Sequence, residues 1–387
     1  STFSNAGTFR KSAGAGSAVI GNNIVFSNSG VIDAQSGTID FAGGSATFNP
    51  GTQFTGAGVV RVSNSASFVG GFTSANLVLA GGSLFGDNTT PAVMNGQVVW
   101  TGGSFGGTWQ VASGQTLTAQ DGGAKQFSGT NFTNAGTVRW DSDQNAGLLI
   151  SAITNTGLFD LRSDAGIAYA GGGVSTFTNA GVLRKSAGSG TSVVTNNIVF
   201  SNPGTVEALS GTLQFAGNLV NPGTVRGTAT VKTALLTNDG VVAPGASDAA
   251  GPGTLTLAGS FAQGVAGALQ VQVESLASHD LLVVTGAVNL GGTLAVACHG
   301  ACFFDVGDEI VVLDYGSTRS GSTFAGLTLS GFATGGFEAI YDDANTRVLL
   351  RVTDAVTPVP EPGPAALLLA GLAVLGWGAR RLRPAAR

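Results

Sequence analysis

The sequence predicts an all-β parallel β-helix, a β-solenoid, with a C-terminal β-sandwich-like cap and one short hydrophobic C-terminal helix. Three observations carry this. The first is composition: Gly supplies 62 of 387 residues, and only 39 residues (17 basic and 22 acidic) carry charge. Gly, Thr, Val, Asn and Ser are poor helix formers, which argues against an all-α chain. The second is a long internal repeat. The third is a shorter Asn-x-Gly unit that recurs through much of the chain.

Residues 1–44 and 175–218 align without gaps and agree at 28 of 44 positions. A third copy begins at Asn131, and its Phe132 lies 45 residues before Phe177. Such self-similarity marks a repeat architecture. The smaller unit appears as Asn5-Ala6-Gly7, Asn28-Ser29-Gly30, Asn134-Ala135-Gly136, Asn155-Thr156-Gly157 and Asn179-Ala180-Gly181. It recurs as Asn202-Pro203-Gly204, Asn221-Pro222-Gly223 and Asn238-Asp239-Gly240. Asn and Gly tolerate positive φ, so each triplet is expected to be a turn. Period-two strands follow, such as Val31-Ile32-Asp33-Ala34. Ser36-Gly37-Thr38 and Ser210-Gly211-Thr212 mark a second turn. One coil of about 20 residues cannot bury its apolar side alone, but stacked coils bury a continuous column. These repeats define a solenoid over 1–240.

Residues 45–128 are more degenerate. Phe48, Phe54, Phe68, Phe72, Phe85 and Phe105 recur among Gly-Gly steps. They are expected to fill the column, while Trp100 and Trp109 are candidates either for the interior or for a carbohydrate-stacking surface.

The stretch 241–355 follows. It contains Pro244-Gly245, Gly253-Thr254-Leu255-Thr256-Leu257, Asp280-Leu281-Leu282-Val283-Val284-Thr285-Gly286 and Leu290-Gly291-Gly292-Thr293-Leu294. This resembles the terminal segment of autotransporter-type passenger β-helices. The resemblance implies a continued solenoid with a sandwich-like cap, and no enzyme class. The alternation around Gly291-Gly292 suggests short antiparallel strands.

A Pro-rich linker, 356–364, leads into the tail, 365–387. Ala365 to Ala379 carries no charge, and Arg380, Arg381, Arg383 and Arg387 close the chain. A full crossing needs about 20 apolar residues, so 365–379 is a short candidate membrane segment. The arginines would act as a stop and keep the C-terminus cytoplasmic. Val359-Pro360-Glu361-Pro362, an apolar run and an arginine cluster resemble the PEP-CTERM sorting signal of exopolysaccharide-producing Gram-negative bacteria. That tail is also known as an ice-binding-protein C-terminal segment. The resemblance implies export, recognition by an exosortase-type membrane protease and removal of the tail. A permanent anchor and a buried terminal helix are the alternatives. Ser1 opens in mid-repeat, so an export signal is expected outside this sequence.

Few residues suggest chemistry. Cys298 and Cys302 bracket His299, and the only other His is His279. A zinc site needs four ligands, so a local disulfide is the expected state, with free thiols or a metal as alternatives. Asp141, Asp143, Asp160 and Asp164 cluster in the third copy. They suggest paired acid and base groups, a Ca²⁺ site or a solvated turn. Thr-Leu-Thr occurs only in isolated places, so the tail's second name gives no reason to expect ice binding. The net charge of −5 and the absence of a basic stripe weigh against nucleic acid. No cofactor and no metal are expected. The sequence therefore points to an exported cell-surface or matrix β-solenoid, structural or adhesive, that meets exopolysaccharide through many weak contacts. The alternative is a β-helix polysaccharide lyase or hydrolase that uses the four aspartates.

Overall fold

A computed structural model describes residues 1–247 and 250–358. It is all-β, with no helix among the described residues, and winds into a β-solenoid of about 14 turns. Each coil presents up to three short strands, one per face. On the first face Thr2–Asn5, Val25–Asn28 and Ser45–Phe48 stack in parallel. On the second, Thr8–Lys11, Val31–Ala34 and Gln53–Thr55 do so. On the third, Ser17–Ile20, Thr38–Phe41 and Val59–Val62 do so. Alternation sends every second side chain inward. Phe41, Val62, Leu79, Trp100, Ala119, Trp140 and Leu161 form one such inward file.

The column is filled by aromatic rings through its first half. Phe48, Phe54, Phe68, Phe72 and Phe105 are buried, whereas Phe85 points outward. Trp100 and Trp109 are fully buried, so the surface-stacking alternative fails for both. Each indole N–H satisfies itself on a nearby carbonyl, Trp100 on Gly102 at 2.9 Å and Trp109 on Gly106 at 2.9 Å. That local acceptor is what allows a Trp to be buried without loss.

The two near-identical segments occupy different faces. Thr8–Lys11 heads a parallel stack that runs coil by coil through 71–74, 92–96, 108–111 and 130–134 to Ser175–Asn179. Within the repeat, however, Ser175–Asn179 corresponds to Thr2–Asn5, which lies on the first face. The repeat is therefore rotated by one face between its copies, and the rotation falls within the degenerate coils. The Asn-x-Gly triplet sits at the first-to-second corner near the start. By Asn155 it sits at the second-to-third corner.

These triplets do turn the chain, but positive φ is not the reason. None of their Asn or Gly residues has φ above zero. Close approach explains the Gly instead. A Cβ on Gly30, Gly157, Gly181, Gly204, Gly223 or Gly240 would lie 2.0–2.3 Å from a carbonyl oxygen of the coil before. The Ser-Gly-Thr turns do need positive φ, at Gly37 (61°) and Gly211 (55°).

Parallel pairing continues past residue 240. Leu255 aligns with Leu282, and Leu294 with both Leu269 and Leu327. The expectation of short antiparallel strands around Gly291-Gly292 is thus corrected. That pair turns a corner between Val288–Asn289 and Thr293–Cys298 rather than closing a hairpin. Antiparallel pairing among the named strands enters where Arg347–Pro358 lies against Glu309–Tyr315 and Phe332–Asp342. The motif Val359 to Pro362, the 365–379 segment and the terminal arginines lie outside the described residues. Among the described residues no helix is long and apolar enough to cross a membrane.

Candidate functional site

Of the four aspartates of the third copy, Asp141 and Asp164 form ion pairs, and among the described residues Asp143 and Asp160 form none. Asp141 follows the strand Thr137–Trp140 and lies between two arginines, with Arg139 Nε at 2.6 Å and Arg162 Nε at 3.0 Å. Asp164 sits in the next loop, where Lys185 Nζ lies at 3.0 Å and the Gly190 N–H donates at 2.9 Å. Lys185 is fully buried and also donates to the Ser163 and Ala187 carbonyls. Its ammonium holds the Asp164 carboxyl below the usual carboxylate range. Asp160 is in register between Arg139 and Arg184, nearly buried, with Oδ1 unpartnered. Asp143 contributes its backbone N–H to Asp121 at 2.8 Å. Among the described residues no group of three His, Cys, Asp or Glu is placed to hold a metal. The arrangement gives ion pairing, not two facing carboxylates.

Arginines stand among these acids on one face. On the third face Arg139, Asp160, Arg184, Glu207 and Arg226 follow one another in register. Glu207 is almost wholly buried and accepts from two neighbours, Arg184 Nε on one oxygen and Arg226 Nε at 2.8 Å on the other. Asp141 bridges Arg139 and Arg162 in the same way. Alternation of charge along parallel strands is the stabilising pattern for cross-strand pairs. The sequence signal was present: Arg139, Arg184 and Arg226 each follow a Gly-x-aliphatic start, and Asp160 and Glu207 stand at the equivalent position.

Sequence reasoning missed a second feature, an asparagine ladder inside the corner. Asn134, Asn155, Asn179, Asn202, Asn221 and Asn238 are all fully buried. Each Nδ2 donates to the Oδ1 of the next, at 2.7–2.9 Å, as far as Asn238. Asn238 and Gln263 end the row, and Gln263 donates to the Gly291 and Thr293 carbonyls. Most members also donate to a carbonyl of the next coil, as Asn179 does to Thr205 at 2.7 Å. A shorter ladder, Asn5 to Asn28 to Thr52, lies at the first corner. Asn134 Oδ1 has no donor, because Val111 occupies the preceding place. The regular recurrence of Asn at strand ends was the available signal.

Cys298 and Cys302 are joined as a disulfide, with Cα atoms 5.9 Å apart. His299 donates its backbone N–H to Val273, and His279 forms a single bridge with the same residue. The Nδ1 atoms of both rings are buried without a hydrogen-bond partner. No protein-family model matches the chain, and no curated protein matches it either.

Proposed function

We propose that this chain is an exported structural or adhesive β-solenoid of the cell surface or extracellular matrix, directed there by its PEP-CTERM-like tail. An exosortase-type membrane protease is its processing partner, and 365–379 holds it in the membrane at least until processing. Its binding mode is many weak contacts with exopolysaccharide, each coil adding one. The observation that carries this reading is the repetition of polar side chains in register on the outside of the column. Thr133, Thr154, Thr178 and Ser201 form one such row on the second face. The sparse charge of the chain supports the same reading. Asp141 and Asp164 are engaged by different basic residues, which lends no support to a lyase or hydrolase built on the four aspartates.

The test is made in the source cells. Deleting 1–357 is expected to reduce surface retention or biofilm mass, and unchanged retention and mass contradict the proposal. Mass spectrometry of the mature C-terminus checks the tail. A terminus near the Pro-rich linker supports processing, and an intact Arg387 argues for an anchored form.

A further inference from the structure

We infer that the arginine row on the third face is a binding strip for a carboxylated polysaccharide, one whose sugars carry uronate groups. This rests on the polysaccharide reading above and assigns it a site. Arg139, Arg162, Arg184 and Arg226 all meet their carboxylates through Nε. Among the described residues none of their terminal Nη groups has a hydrogen-bond partner. Arg10 and Arg347 likewise meet Asp33 and Asp342 through Nε alone, but each stands by itself, whereas three other arginines spend their terminal groups. Arg61 puts Nε and Nη2 on Asp40, Arg351 puts both on Glu309, and Arg319 uses all three nitrogens. On the third face the guanidinium is pinned at its inner edge and open at its outer edge.

The exposures agree. The four arginine side chains are 29–46% exposed, while Glu207 is 2% and Asp141 23% exposed. The acids lie beneath and the cations above. A pinned, planar guanidinium with two free outer groups matches a carboxylate bidentately, at small entropic cost.

Spacing narrows the ligand. Arg139, Arg184 and Arg226 recur every second coil. Strands lie about 4.8 Å apart, so the forks are about 9.5 Å apart. That suits a polymer with widely spaced carboxylates. Nucleic acid carries a charge every ~1.7 Å and rewards uncompensated positive charge. Here three acids, Asp141, Asp160 and Glu207, offset four arginines. Thr137, Thr205 and Thr224 stand two residues before Arg139, Glu207 and Arg226 on the same outer surface and supply hydroxyls for sugar.

The test uses the purified full chain, with alginate as the acidic probe and dextran as the neutral one, by biolayer interferometry at low and high salt. Alginate is expected to bind at low salt and to weaken as salt screens the contact. R184K/R226K keeps both charges over Glu207 but removes the forks. It is expected to lose at least tenfold in alginate affinity while melting near the wild type. R184Q/E207Q/R226Q removes the buried charge with its partners and is expected to lose binding as well. Alginate affinity unchanged in a folded lysine variant overturns the strip. Binding of dextran alone overturns the strip and leaves the polysaccharide reading standing. Binding of neither probe overturns both.

Discussion

Coils 45–128 and coils 130–263 solve the same stacking problem with different chemistry. In the later coils a buried amide row fixes one corner, and each Asn from Asn155 to Asn221 is bonded through its side chain to the coil above and below. In the earlier coils the amide row lapses after Thr52, and large rings carry the stacking, including Phe68 on Trp109 at 5.1 Å and Trp100 on Phe105 at 4.3 Å. Amide ladders are directional and dictate which residue sits at which corner. Aromatic packing is less directional, and the repeat changes face within the aromatic coils. Fidelity of the corner thus belongs to the amides, and tolerance of rotation to the rings.

Four tests sharpen this contrast. The largest effect is expected from Trp100→Ala. Its indole is fully buried and donates to the Gly102 carbonyl at 2.9 Å. Truncation should cost about 3–5 kcal/mol, measured as a shift in urea midpoint at constant slope. A loss below ~1 kcal/mol would remove the aromatic column from the account.

Asn179→Ala comes next. It deletes the donor to Asn202 and Thr205 and leaves the Asn155 amide with one of its two acceptors, the Val182 carbonyl. Buried groups left unpaired cost about 1–3 kcal/mol. Asn5→Ala, at the half-buried head of the short ladder, should cost clearly less in the same denaturation series. Equal losses would mean that the ladder does not act as a row.

A glycine pair isolates backbone crowding. Gly7 and Gly181 occupy the same repeat position, yet a Cβ meets nothing within 4 Å at Gly7 and a carbonyl at 2.1 Å at Gly181. Gly181→Ala should lower the melting temperature, and Gly7→Ala should leave it unchanged or raise it slightly. Matching behaviour of the two variants would contradict the stacked geometry.

The smallest effect concerns acid. Asp164 has a folded pKa lowered by Lys185, so its contribution is full above the ordinary carboxylate value of 3.8 and fades as pH falls through the lower folded value. Asp164→Asn should therefore flatten the acid limb of a melting-temperature profile relative to the parent. An unchanged limb would show that the Lys185 pairing adds nothing.

Much of the fold was legible before any coordinates. The 44-residue match fixed the repeat, and strand alternation at Val31 to Ala34 or Thr224 to Gly227 fixed the inward files. The rotation was not legible, because two copies with matching residues carry no label for the face they occupy. The glycine role was misread for a related reason. Asn-x-Gly suggests a φ requirement, whereas the crowding at Gly181 arises only once another coil is present. The site was half legible. Asp141 and Asp164 drew attention to the right coils, but Arg162 and Lys185, which pair with them, come from the next coil, 21 residues away in each case. A single strand read alone does not show them.

The central claim is that successive coils rise along one axis in register. Thr154, Thr178, Ser201, Val220, Thr237, Ala262 and Asn289 mark successive coils on one face. Spin labels at Thr154→Cys and Asn289→Cys, read by pulsed electron paramagnetic resonance, span six such steps. At about 4.8 Å per step the account predicts a backbone separation of about 29 Å, with a single narrow distribution. A separation well away from that value, or a broad distribution in the folded protein, would contradict it.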